Sequence, residues 1–191
     1  MSYIGAKPAE QILSSADIQD GAISTVDLAD SAITQAKLAS GVAGTGPAVL
    51  AYASGSQSVS NNTWTKITFD TEVFDTNSNF ASSRFTPTVA GYYQINASMC
   101  LYGTSSFPVE QVFALYMNGS TVHWFCDISP NASLTSNNFS LVSGSTVYYF
   151  NGTTDYAEIY AYYYGSGASA SLGYSNSSRT SRFSASLIRS A

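Results

Sequence analysis

The chain has 191 residues with only 7 Lys+Arg and 12 Asp+Glu, a formal net charge of -5. Charged residues make up 10% and hydrophobic ones 45%, so the surface must be built from Ser, Asn, Thr, Gly and Tyr. That composition excludes disorder, which needs low hydrophobicity with high net charge, and a phosphate-binding surface of clustered cations, so nucleic acid is not an expected partner. No stretch reaches the ~18 apolar residues of a membrane span, so membrane insertion is not expected either.

Residues 1–20 form an expected attachment leader. The opening MSYIGAKPAEQIL has neither an apolar signal region nor a cleavage pattern, so no secretory signal is expected. Its apolar and Pro-containing positions Tyr3, Ile4, Pro8 and Ile12 are the candidate docking residues for another protein.

Residues 13–40 carry an apolar residue at every fifth position: Leu13, Ile18, Ile23, Leu28, Ile33 and Leu38. Aligning AISTVDLADS with AITQAKLASG matches Ala, Ile, Leu and Ala, so the repeat is ten residues with two anchors per unit. Five residues turn an α-helix by ~500°, which leaves successive anchors ~140° apart, and one continuous helix cannot gather them on a face. Ser14-x-x-Asp17 and Ser24-x-x-Asp27 fit the pattern in which a hydroxyl caps a helical turn and an acid favours its start. Single helical turns are expected at 24–30 and 34–39, alternating with extended steps at Ala22-Ile23 and Ala32-Ile33. Such units cannot bury their anchors alone. A threefold bundle of identical shafts is the simplest closed solution.

A Gly/Pro hinge at 41–46 separates this region from one of different grammar, 47–191. Strands are expected at 48–53, 63–69, 91–102, 111–118, 120–127, 137–142, 145–150, 155–164 and 180–188, punctuated by Ser, Asn and Gly. So many short strands without a helix imply a sandwich or jelly roll. The fold class is therefore all-β: a jelly-roll knob preceded by a short ten-residue-repeat fibrous shaft with single helical turns. Cys100 and Cys126, the only cysteines, are too few for a disulfide scaffold and are expected to be reduced. Whether they are neighbours is open.

Three stretches of the second region resemble a known family. Phe74-Asp75, Phe85-Thr86-Pro87 and Ala90-Gly91-Tyr92-Tyr93 are similar to the most recognisable segment of the complement C-one-q globular head. PAVLAYAS from Pro47 and FSASLIRS from Phe183 are similar to that family's first and last strands. The resemblance implies a ten-stranded jelly roll of the complement and tumour-necrosis-factor superfamily, assembled as a homotrimer. The ADIQDGAIST…AKLA region resembles repeats in short fibres of tailed bacteriophages. Together these imply a virion appendage, made in the bacterial cytoplasm, whose knob attaches to a host surface, most naturally glycan. The alternatives are a capsid decoration protein and a secreted cytokine-like ligand, the latter glycosylated at sequons such as Asn96, Asn118 and Asn151.

The residues offer little for catalysis, and no enzymatic activity, cofactor or metal is expected. His123 is the only histidine. On a regular strand it shares a face with Phe125 and Asp127, but four residues place His123 and Asp127 ~13 Å apart. Asp155 and Glu158 are expected on opposite strand faces. Asp70, Glu72 and Asp75 are expected in a loop, as solvated charges or weak calcium ligands. The tyrosines are more informative. Tyr156, Tyr160, Tyr162 and Tyr164 share one face of a strand with Glu158, while Ala157, Ile159, Ala161 and Tyr163 form the core face. The tyrosine face is a candidate subunit interface or sugar-stacking platform. Tyr92, Tyr93, Tyr148, Tyr149 and Phe150 pose the same choice. Receptor contact is expected from loops at 103–106, 130–138 and 165–178.

Overall fold

The computed structural model describes residues 17–29, 32–33, 37, 46–103, 108–128, 138–165, 169–172 and 181–191. The chain divides into two units, Met1–Leu38 and Ala39–Ala191. Leader residues Tyr3, Ile4, Pro8 and Ile12, anchors Leu13 and Leu38, and hinge residues 41–45 lie outside the described residues.

In the first unit the described backbone makes turn hydrogen bonds. Ala22 N donates to Gln19 O at 3.0 Å, and Ala32 N, ten residues on, donates to Ala29 O at 2.9 Å. The turn between them is a 3-10 helix over Thr25–Asp27, shorter than the expected span of 24–30. Asp27 accepts from Ser24 N at 2.9 Å, as a capping acid should. The Ser24 hydroxyl, however, donates to the same carboxylate at 2.7 Å instead of accepting from the backbone. The bond from Ser24 N, seconded by the hydroxyl, holds the Asp27 carboxyl below its ordinary value. Of the expected turn at 34–39 only Lys37 is described, and its ammonium donates to Ala32 O at 2.9 Å.

The second unit is all-β. Its strands are β1 (Ala48–Tyr52), β2 (Gln57–Ser60), β3 (Thr65–Lys66), β4 (Thr71–Asp75), β5 (Phe80–Ala81), β6 (Arg84–Phe85), β7 (Gly91–Gly103), β8 (Pro108–Met117), β9 (Ser120–Ile128), β10 (Asn138–Phe150), β11 (Ala157–Gly165), β12 (Ser169–Leu172) and β13 (Arg182–Ser190). A seven-stranded sheet runs β2-β12-β7-β13-β1-β4, with β10 on the other edge of β7. A six-stranded sheet runs β5-β6-β11-β8-β9, with β3 also against β11. All named pairings are antiparallel.

Three expectations are corrected here. The segments 137–142 and 145–150 form one strand, β10, paired along its whole length with β7. Thr71–Asp75, expected as a loop, is the edge strand β4 paired to β1. Ser169–Leu172, inside the expected loop 165–178, is β12.

The core lies between the sheets and is rich in aromatic rings. Phe85 makes an edge contact with Tyr93 at 5.5 Å and with Phe150 at 5.9 Å, and Phe80 stacks on Phe183 at 5.4 Å. Tyr93 and Phe150, two of the residues left open as interface or platform, are therefore core. The Tyr93 hydroxyl donates to Val89 O at 2.8 Å, and burial pushes its pKa up to about 12. Gly91 admits no side chain, because a Cβ there would sit 2.4 Å from Arg189 O, beside the register shift between Leu187 and Arg189.

Candidate functional site

Strand β11 follows the alternation read from its sequence. Ala157, Ile159, Ala161 and Tyr163 are buried in the core, while Tyr160 and Tyr162 are half-buried and Tyr164 is exposed. Tyr156, just ahead of the strand, is half-buried. The tyrosine face is covered in part by residues distant in sequence. β3 pairs with β11 at Tyr160 and Ala161, and Trp64 beside it packs against Tyr162 and Tyr116 at ring distances of 5.3 and 5.6 Å. Tyr160 stacks on Tyr116 at 4.1 Å. Across the strand pair, Tyr160 stands opposite Ala114 and Tyr162 opposite Val112, and both partners are buried. The rings thus form an aromatic layer over the outer face of the six-stranded sheet, with one face of Tyr160 already occupied. The Tyr162 hydroxyl donates to Asn62 Oδ1 at 2.8 Å.

Glu158 shares this face but is only 3% exposed. Lys66 Nζ reaches its Oε1 at 2.6 Å and Arg84 Nε reaches the same oxygen at 2.8 Å. Burial pushes the Glu158 carboxyl up, but the hydrogen bonds and charges of Lys66 and Arg84 outweigh it and hold the group below its ordinary value. Arg84 also lies 3.8 Å from the centre of the Tyr156 ring, a cation–π contact. The bond to Glu158, opposed by partial burial, raises the Arg84 pKa further. Sequence reasoning found the tyrosines but missed Trp64, Lys66, Arg84 and Tyr116. Only the topology joins residues 66, 84 and 158.

Asp155 and Glu158 are engaged by different partners. Asp155 lies before β11 and accepts from Asn118 Nδ2 and Asn151 N, both at 2.9 Å. Asp70 accepts from Ser54 N and Oγ, while Asp75 accepts from Phe80 N. Among the described residues, no group of three or more His, Cys, Asp or Glu could hold a metal ion. His123 and Asp127 are on opposite faces of β9, contrary to the regular-strand expectation. His123 stands opposite core-facing Leu115 and Asp127 opposite Val112, because a register shift at Phe113/Ala114 inserts Phe125 as an extra residue. His123 packs on Phe125 and Tyr148, at 5.2 and 6.4 Å. Neither Cys100 nor Cys126 is in a disulfide.

A second aromatic surface lies on the outer face of the seven-stranded sheet. Tyr92 and Tyr149, directly paired across β7 and β10, are 48% and 44% exposed and meet edge-on at 5.5 Å. Val147 on the same face of β10, along with Phe74 on β4, is also open. Tyr148 points the other way, and its hydroxyl donates to Val122 O at 2.7 Å. Of the expected receptor loops, residues 104–107, 129–137, 166–168 and 173–180 lie outside the described residues.

In architecture the chain is similar to complement and tumour-necrosis-factor jelly-roll domains. It matches the globular domain of zebrafish complement 1qA with a TM-score of 0.53 and 17% identity, over 76% of this chain and 99% of that one. It matches Eiger TNF from S. frugiperda at 0.54 and 9%, over 76% and 95%. It matches murine APRIL at 0.52 and 13%, over 75% and 99%. At such identities the likeness is one of fold. No family model and no curated protein sequence matches the chain.

Proposed function

We propose that this protein is a non-enzymatic structural component of a tailed-bacteriophage virion. It works as a homotrimer whose N-terminal leader docks on another virion protein and whose jelly-roll knob meets the host surface. One observation carries the reading. In a single chain the described anchors Ile18, Ile23, Leu28 and Ile33 are 47%, 54%, 42% and 50% exposed, although a residue of this type gains about 1.5–3 kcal/mol from full burial. Aliphatic side chains left open at a fixed spacing call for further copies of the same spacing, and three identical shafts close around one axis. The Tyr92, Tyr149 and Val147 surface gives the knob its own apolar face for such contact.

Trimerisation also makes three weak knob contacts act together on a repetitive surface. The amide nitrogens of Asn96, Asn118 and Asn151 each donate within the fold, to Ser184, Asp155 and Thr154. Those bonds favour bare side chains over the glycans a secreted ligand would carry there. Sedimentation of the full chain at micromolar concentration is expected to give three times the chain mass, and a stable monomer would overturn the proposal. Gold labelling of particles, expected at the tail, separates host attachment from capsid decoration.

A further inference from the structure

The segment between β4 and β7, with its short strands β5 and β6, folds beside β3 into a cleft of about 490 Å³, lined by Lys66, Ser78, Asn79, Ser82, Arg84 and Thr86 among others. Its volume is in the range of small-ligand sites. Its electrostatics are unusual for this chain. Of the 7 cations in a sequence of net charge -5, two converge here and share one carboxylate oxygen, Glu158 Oε1. Two positive charges against one negative leave a surplus of one. The Arg84 side chain remains 44% exposed, and among the described residues only its Nε is engaged with an acceptor.

The rest of the lining is neutral and hydroxyl-bearing. The hydroxyls of Ser78, Ser82 and Thr86 make no hydrogen bond among the described residues. The backbone beneath them is tied down. Asn79, 5% exposed, donates from Nδ2 to Asn77 O and accepts at Oδ1 from Thr88 N, and its own carbonyl accepts from Thr86 N at 2.8 Å. Ser83 Oγ accepts from Phe69 N at 2.8 Å. A backbone held in place before a ligand arrives loses little freedom on binding.

We infer that this cleft binds a sugar residue carrying a single carboxylate, with the free edge of Arg84 on the carboxylate and the Ser78, Ser82 and Thr86 hydroxyls on the ring hydroxyls. One surplus charge matches a monoanion, and a guanidinium edge matches the planar geometry of a carboxylate. A compact anion such as phosphate brings no ring hydroxyls for the Ser78, Ser82 and Thr86 side chains to pair with. The inference deepens the attachment reading by naming the class of sugar, and rests on it only for where that sugar occurs. The cleft belongs to one chain, so the mass measurement and the binding measurement fail independently.

The test titrates the ¹⁵N-labelled full chain with D-glucuronate, D-glucose and inorganic phosphate in turn, following amide shifts. Glucuronate is expected to move Ser82, Arg84 and Thr86 saturably at millimolar concentration, with glucose at least tenfold weaker and phosphate not saturating. Arg84→Gln, which keeps the Lys66–Glu158 pair, is expected to weaken glucuronate about tenfold. Thr86→Val, the second variant should the first lose its fold, is expected to weaken it severalfold. Equal affinity for glucuronate and glucose, saturation by phosphate at these amides, no saturable shift, or binding unchanged in both variants would each overturn the proposal.

Discussion

At Glu158 a carboxylate is buried on the outward face of a sheet, where a strand pattern alone would put it in water. Its cost is offset by Lys66 and Arg84, which sit 31% and 44% exposed and so feel some solvent screening. Glu158→Gln is therefore expected to destabilise by about 2 kcal/mol, below the ~3–5 kcal/mol of a fully buried broken pair, as measured by urea unfolding. The pH dependence follows from the direction of the shift. The folded carboxyl lies below its ordinary value of 4.5, so its contribution is complete above that value and is lost as pH falls through the folded one. Stability of the wild-type chain should fall over that acid window by more than that of Glu158→Gln, and parallel curves would count against the pairing. The alternation that places Glu158 beside the tyrosines was legible in the sequence. Its burial was not, because the lids over it come 92 and 74 residues earlier.

At the scale of the strand, the sequence misleads wherever a residue is chosen for a neighbour in another element. Ser143-Gly144-Ser145 reads as a turn, yet β10 runs straight through it. Gly144 stands there because Phe125 lies over it: a Cβ would come within 2.3 Å of Phe125 Cδ1 and 2.5 Å of its Cβ. Phe125 is the bulged residue of β9 and packs at a tilt against core Phe113 at 5.3 Å, so it has no simple way to withdraw. Gly144→Ala, harmless in an ordinary strand, is expected to cost about 1–3 kcal/mol by overpacking. Pairing it with Phe125→Leu should recover part of the loss in a double-mutant cycle, and strict additivity would argue against the contact. β4 escaped the pattern for a related reason. The register shift between Leu50 and Ala51 leaves Glu72, Val73 and Phe74 all exposed, so no alternation marks the strand. β12 is four small or apolar residues, SASL, extending the edge that β13 forms along β7. By contrast β7, β8 and β11 were read nearly to their ends, because among the described residues each buries most of one face in the core.

For the molecule as a whole, a single copy leaves the described anchors Ile18, Ile23, Leu28 and Ile33 open. With 10% charged residues, few ions are available to keep the open Ile and Leu positions of the first unit apart from those of other chains. Assembly on these anchors can be tested by weakening it in part. Ile23 and Leu28 are about half exposed, so closing the shaft around each should contribute roughly 1 kcal/mol, half of a full burial. Ile23→Ser with Leu28→Ser removes six such side chains from a trimer, about 6 kcal/mol, or roughly four decades in the dissociation constant. Because three chains separate together, the concentration at which half the protein is assembled varies as the square root of that constant. The midpoint measured by sedimentation should therefore rise about a hundredfold, while the circular dichroism of the second unit stays as it was. The opposite result has a clear meaning. If the midpoint does not move, the anchors do not meet one another, and any trimer must be held by the Tyr92 and Tyr149 face alone, which Tyr149→Asp would then be expected to dissolve.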